Sequence, residues 1–101
     1  MIKHIVFFKL AESAEGKTKA ENAIFIKNEL ENLKNLIPQI RMIEVGINST
    51  DAPDVNFDIA LNSEFDSMAD LYTYQANPEH KRVAVYIGKV RTDRACVDYE
   101  F

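Results

Sequence analysis

Residues 57–80 read FDIALNSEF followed by DSMADLYTYQANPEH, and the change of period inside this stretch decides the fold. Phe57, Ile59, Leu61, Ser63 and Phe65 alternate with Asp58, Ala60, Asn62 and Glu64, which marks a strand with one wet face. Ser67 followed by Asp70 then caps a short helix running to about Ala76. Asn77 is a second N-cap, and Pro78 suits the first helical position, where no N–H is needed. A further helix follows from Pro78 to about Val90, with Val83, Tyr86, Ile87 and Val90 as its apolar stripe.

Outward from this stretch the same two periods recur. Residues 2–10 alternate and are rich in β-branched and aromatic types, a strand; Ser13 to Gly16 is a turn. From about Thr18, Ala23, Ile26, Leu30, Leu33 and Ile37 form one helical stripe, with Thr18 and Glu21 as a capping box and Pro38 as the stop. Residues 41–48 alternate, with Ile43, Val45 and Ile47 on one face. Asn48 to Asn56 is a polar, hairpin-type connection, and Arg94 to Phe101 is the last strand. The order βαββαβ, with its second helix broken at Asn77-Pro78, predicts an α+β, ferredoxin-like domain over 1–101. That plan is a four-stranded antiparallel sheet with helices on one face.

A chain of 101 residues suffices for one domain, and its net charge of -4 argues against a nucleic-acid partner. Lys81, Arg82, Lys89, Arg91 and Arg94 gather late in the chain and read as a solvated helix face. The apolar run Ile5 to Phe8 is too short for a signal peptide, and no run approaches a membrane span. The single cysteine, Cys96, reads as a small core hydrophobe and fits a reducing cytoplasm. Two histidines without clustered carboxylates fall short of a three-ligand set, so no metal is expected.

If His4, Val6, Phe8 and Leu10 face the helices, then Ile5 and Phe7 face away, joined by Ala95, Val97, Tyr99 and Phe101 of the last strand. An apolar patch of that kind predicts a two-fold homodimer. Chemistry is suggested in one place. His80 lies in the first turn of its helix, where the dipole disfavours the imidazolium, and Tyr74 precedes it by one short break. A neutral His80 suits removal of a proton from carbon next to a carbonyl, with Tyr74 steadying the enolate oxygen. The bland alternative makes both structural, a first-turn histidine and a buried tyrosine. His4 is mid-strand and faces the helices, where it would orient a ligand beside His80 or simply be a hydrogen-bonded core residue. Val6, Phe8, Ile26, Leu30, Ile59, Leu61, Val83 and Ala84 are candidates for a pocket wall, and equally for a plain core.

With these residues in hand, the chain resembles the stress-responsive A/B barrel domain (Dabb) family of dimeric α+β barrels. The resemblance is carried by Lys3-His4-Ile5-Val6, Ile37-Pro38, Val45-Gly46, Phe65, Tyr74, Asn77-Pro78-Glu79-His80 and Asp98-Tyr99. It implies a homodimer whose sheets pack into a barrel, and a cavity for a small apolar molecule between sheet and helices in each subunit. Around that cavity the chain is similar to olivetolic acid cyclase, a plant member that closes a ring without a cofactor; its tyrosine and two histidines match Tyr74, His80 and His4. The likeness implies cofactor-free lyase or cyclase chemistry. Departures are Asn77, where the family often has histidine, and Arg94 and Cys96, where that enzyme has apolar lining. Two rival readings stand beside the enzyme: a ligand-binding module without turnover, and a stress-related structural dimer.

Overall fold

The alternation of residues 2–10 becomes strand β1 (Ile2–Leu10), with Ile2, His4, Val6, Phe8 and Leu10 buried and Phe7 exposed. The computed structural model describes residues 1–101. After β1 come β2 (Ser13–Ala14), β3 (Lys17–Thr18), α1 (Lys19–Asn32), β4 (Met42–Ile47), β5 (Ile59–Phe65), α2 (Met68–Ala76), α3 (Pro78–Val90) and β6 (Arg91–Glu100). Four strands form one antiparallel sheet in the order β4-β5-β1-β6, with the helices against one face. This is the ferredoxin-like plan expected from the two periods.

Capping chemistry fixes the helix starts. The Thr18 hydroxyl accepts from the Glu21 N–H (3.2 Å) while the Glu21 carboxylate accepts from the Thr18 N–H (2.9 Å), a complete capping box. Ser67 and Asn77 cap α2 and α3 through the N–H groups of Asp70 (3.1 Å) and Glu79 (2.9 Å). The clearest departures from the sequence reading are three. The Ser13–Gly16 turn is the tip of a small hairpin, β2–β3, in which Glu15 and Gly16 take positive φ of 52° and 74°. Helix α1 stops at Asn32 and tightens into a 3-10 turn at Leu33–Asn35, so Pro38 follows the end instead of making it. The N–H groups of Leu36 and Ile37 both return to the Leu33 carbonyl, which turns the chain before proline can clash with a helical residue ahead of it. Strand β6 starts at Arg91, earlier than expected, because β1 pairs with it as far as Leu10 across a register shift that no alternation in the sequence marks.

Between helices and sheet lies one core, centred on Ile26, Leu30, Leu33, Phe65, Leu71 and Tyr74. Its buried Asn22 is satisfied: Nδ2 donates to the Ala14 carbonyl (3.1 Å), tying the small hairpin to α1, and Oδ1 accepts from the Tyr86 hydroxyl (2.5 Å). Helices cover β4, β5 and β1, whereas every residue of the edge strand β6 is exposed. Cys96 is therefore not the core hydrophobe expected from sequence; it lies on β6, exposed, because nothing is packed above that strand. On the opposite face, Ile5 pairs with Val97, Phe7 with Ala95 and Lys3 with Tyr99. Phe7, Val97, Tyr99 and Phe101 leave between about a third and somewhat over half of their surface open there. No helix is long and apolar enough to cross a membrane.

Candidate functional site

The β1–β6 register decides which side chains share the helix-ward face. His4 pairs with Asp98, Val6 with Cys96 and Phe8 with Arg94. Because the helices stop short of β6, a cavity of about 230 Å³ opens between the β1–β6 edge and the flank of α2 and α3. His4, Val6, Phe8, Leu30, Leu61 and Ala84, all expected in a pocket wall, line it together with His80. Ile26, Ile59 and Val83 do not: all three are core, and Ile26 and Val83 instead border a separate groove between α1 and α3. Their helical and strand parity is right, but they point into the half of the sandwich that side chains fill.

His80 is the third residue of α3, after the Asn77 cap and Pro78. Its ring is half-buried, and its Nδ1 is buried with no hydrogen-bond partner. Burial, first, and then the nearby His4 and Arg94 hold the imidazole below the ordinary histidine value of 6.5; the Gln75 backbone carbonyl pulls the other way without making an ordinary hydrogen bond to Nδ1. The neutral form expected from the helix dipole is thus favoured chiefly by desolvation.

Tyr74 stands edge-on to His80, ring centroids 4.5 Å apart, and packs on Phe65 at 4.9 Å. It is fully buried, and its hydroxyl has no partner. Burial pushes its pKa well above the usual phenol range, so the proton stays on. The expectation that Tyr74 looks into the cavity needs correction: it lies behind His80, outside the wall, because the α2 face it shares with Leu71 points into the core.

His4, also buried, hydrogen-bonds through Nδ1 to the Asp98 carboxylate. A carboxylate can only accept, so Nδ1 carries the proton in this hydrogen bond. Strand pairing also brings Cys96 close: its sulfur is 3.8 Å from both His4 Nδ1 and Asp98 Oδ1. Three potential metal donors therefore gather within 4.8 Å, which the sequence reading, counting only histidines and neighbouring carboxylates, did not foresee. The His4–Asp98 hydrogen bond already engages two of them. Partial desolvation of the otherwise exposed thiol, first, and then Asp98 push Cys96 up, against the lowering pull of Arg94, which disfavours the thiolate a metal or an electrophile would need.

Sequence reasoning missed three lining residues, Gln75, Ile87 and Arg91, and reached a fourth, Arg94, only through the family resemblance. Arg91 and Arg94 were assigned to a solvated helix face, yet both are on β6 and face the cavity. Arg94 has the same strand parity as Cys96 and Asp98, a usable signal; Arg91 is hidden by the register shift. Ile5, Phe7, Ala95, Val97 and Tyr99 share the opposite, outward face.

Comparison with known proteins is consistent with this geometry. Residues 2–101 match the family model described as Stress responsive A/B Barrel Domain. The Arabidopsis thaliana stress-response A/B barrel domain-containing protein DABB1 is 29% identical over 99 residues, covering 98% of this chain and 46% of that protein; the chain thus spans about half the length of this curated relative. Among solved structures, a dimeric protein of unknown function and ferredoxin-like fold from Bacteroides fragilis is 36% identical, covers 99% of this chain and 95% of that one, and superposes with a TM-score of 0.78. Hydroxynitrile lyase from Passiflora edulis shares the fold at 21% identity, with 97% of this chain and 90% of that chain covered and a TM-score of 0.75.

Proposed function

Because this chain belongs to the stress-responsive A/B barrel domain family, we propose a homodimer that binds a small carbonyl-bearing molecule in each cavity and moves a proton on it without a cofactor. One observation carries this reading: a buried imidazole nitrogen and a buried phenol hydroxyl, both unpartnered, on rings 4.5 Å apart beside the cavity. Buried polar atoms left without partners each cost about 1–3 kcal/mol, and a ligand's polar atoms would return that cost. His80, neutral near pH 7, takes a proton from carbon next to the carbonyl; the electron pair of that C–H bond becomes the enolate. Tyr74, held protonated, donates to the enolate oxygen. This requires the carbonyl to reach beneath the edge of the His80 ring.

The chemistry is tested by deuterium uptake. Small ketones, aldehydes and keto acids incubated with the protein in D2O should exchange their α-protons, read by proton NMR. His80→Ala should abolish the exchange while ligand affinity changes little. No exchange on any compound, with binding intact, sinks the lyase or cyclase reading. The position of Tyr74 outside the cavity wall favours the second reading, a binding module of the same cavity without turnover.

The outward apolar face supports the dimer, as does the dimeric Bacteroides fragilis relative. Asn62 Oδ1, on that face opposite Ile5, is also buried without a partner and would gain one across the two-fold. Light scattering at micromolar concentration should give a dimer, and Phe7→Glu or Val97→Glu a monomer. Each subunit's single cysteine fits the reducing cytoplasm.

A further inference from the structure

The chain has four arginines, and they fall into two kinds. Arg41 is paired with Asp66 at 2.6 Å and Arg82 with Glu29 at 3.0 Å, both outside the cavity. Arg91 and Arg94 make no ion pair, and both line the cavity that holds His80 and His4. No carboxylate lines that cavity. The nearest acid on the same strand face, Asp98, is engaged by His4, and Asp93 pairs in register with Lys9 on the outward side. A chain of net charge -4 thus keeps a pocket wall whose only charged side chains of fixed sign are cationic, with two guanidiniums that have no acid partner at one end. The rest of the wall is mostly apolar: Val6, Phe8, Leu30, Leu61 and Ile87.

We propose that the cavity takes a small monocarboxylate with an apolar body, such as an aromatic or branched-chain keto acid, its carboxylate held by Arg91 and Arg94. This deepens the preceding reading and rests on it: the cavity must be a ligand site at all. A guanidinium presents a planar fork of donors that matches a carboxylate two-to-two, and here no protein acid competes for it. The volume, about 230 Å³, lies below the range of about 300–1,000 Å³ typical of drug-sized ligands, which selects a compact acid. Arg94 is also near enough to His80 to help keep its ring neutral, so the group that would anchor the anion assists the base. A phosphate ester offers the same anionic oxygens but adds a second charge and a tetrahedral head.

The test is calorimetric titration of the full chain with three probes that share a phenyl body: phenylpyruvate, its neutral methyl ester, and phenyl phosphate. Phenylpyruvate should bind at least about tenfold more tightly than the ester, and raising salt should erode that difference. The double variant R91Q/R94Q should lose the difference while still binding the ester. Arg94→Lys, which keeps the charge and loses the fork, should fall between and serves if the double variant does not fold. Equal binding of acid and ester to the unaltered protein overturns the carboxylate assignment and leaves the ligand cavity standing. Tighter binding of phenyl phosphate than of phenylpyruvate overturns it in favour of a phosphate ester. No binding of any probe overturns both the assignment and the cavity as a ligand site.

Discussion

The helix-ward face of the sheet has two halves that obey the same alternation and end differently. Over β4 and β5, under α1, every buried polar group is answered. Asn22 has both its donor and its acceptor used, and the Ser63 hydroxyl donates to the His4 carbonyl at 3.2 Å. Glu31 accepts from the Val45 N–H at 3.0 Å, and Lys27 donates to Glu31 at 2.9 Å and to the Val45 carbonyl at 2.5 Å. Over β1 and β6, beside α2 and α3, the Tyr74 hydroxyl and His80 Nδ1 are buried alone, and two arginines lack acids. The one other orphaned atom, Asn62 Oδ1, is on the outward face where a second subunit is proposed. The closed half is finished structure. The open half keeps unmet polar demand, and an edge strand with nothing above it is what leaves room for that.

The contrast breaks most sharply by mutating one residue from each half. Ile26 is completely buried under α1, and Ile26→Ala should cost about 2–5 kcal/mol of stability in urea unfolding, because transfer free energy is lost and a void remains. His80→Ala, whose polar atom already lacks a partner, should cost clearly less. If the two losses match, the open half is as much core as the closed one. A subtler cut in the closed half is Tyr86→Phe. It removes the donor to Asn22 Oδ1 and leaves that oxygen buried and unpaired, with an expected loss of about 1–2 kcal/mol.

A pH titration sharpens the comparison at His80. Its folded-state value lies below 6.5, so as pH falls the unfolded chain takes up the proton first. The stability associated with the neutral buried ring is complete above pH 6.5 and is lost as pH drops toward the depressed folded value. Thermal midpoints of the protein should therefore fall more between pH 8 and pH 5 than those of His80→Gln. Both proteins keep His4, which drops out of the difference. Parallel curves would mean that His80 is solvated and not held neutral by burial. The same shift places the acid limb of any deuterium-uptake activity below pH 6.5.

What acts locally along the chain was legible, in both halves. Alternation in residues 2–10 and 57–65, the stripe from Ala23 to Ile37 and three helix caps all act over one or two turns, so the sequence displays them directly. At the site, Asn77-Pro78 announced where His80 would be, since a cap and a proline fix a helix start locally. What stayed hidden depends on pairing between distant segments. Asp98 reaches His4, and Arg94 faces the cavity, only because β6 lies beside β1 in one register. Cys96 looked apolar in sequence and is exposed because β6 has no helix above it, a fact of layer width that periodicity does not record. Ile26, Ile59 and Val83 had the right parity for a pocket wall, but parity gives the face and not which half of that face is filled.

The smallest expected effect separates structure from function most directly. In a closed core, removing a tyrosine hydroxyl that has a partner costs stability. The Tyr74 hydroxyl has none, is fully buried, and still bears its desolvation. Tyr74→Phe should therefore leave stability unchanged or raise it by up to about 1 kcal/mol, measured by urea unfolding. Deuterium uptake by a carbonyl substrate should fall in the same variant if that hydroxyl steadies the enolate. Unchanged uptake with unchanged stability would remove Tyr74 from the chemistry and leave His80 acting alone. A loss of stability above 1 kcal/mol would show that the hydroxyl has a protein partner in solution, and the division between an answered and an unanswered half would then fail at its centre.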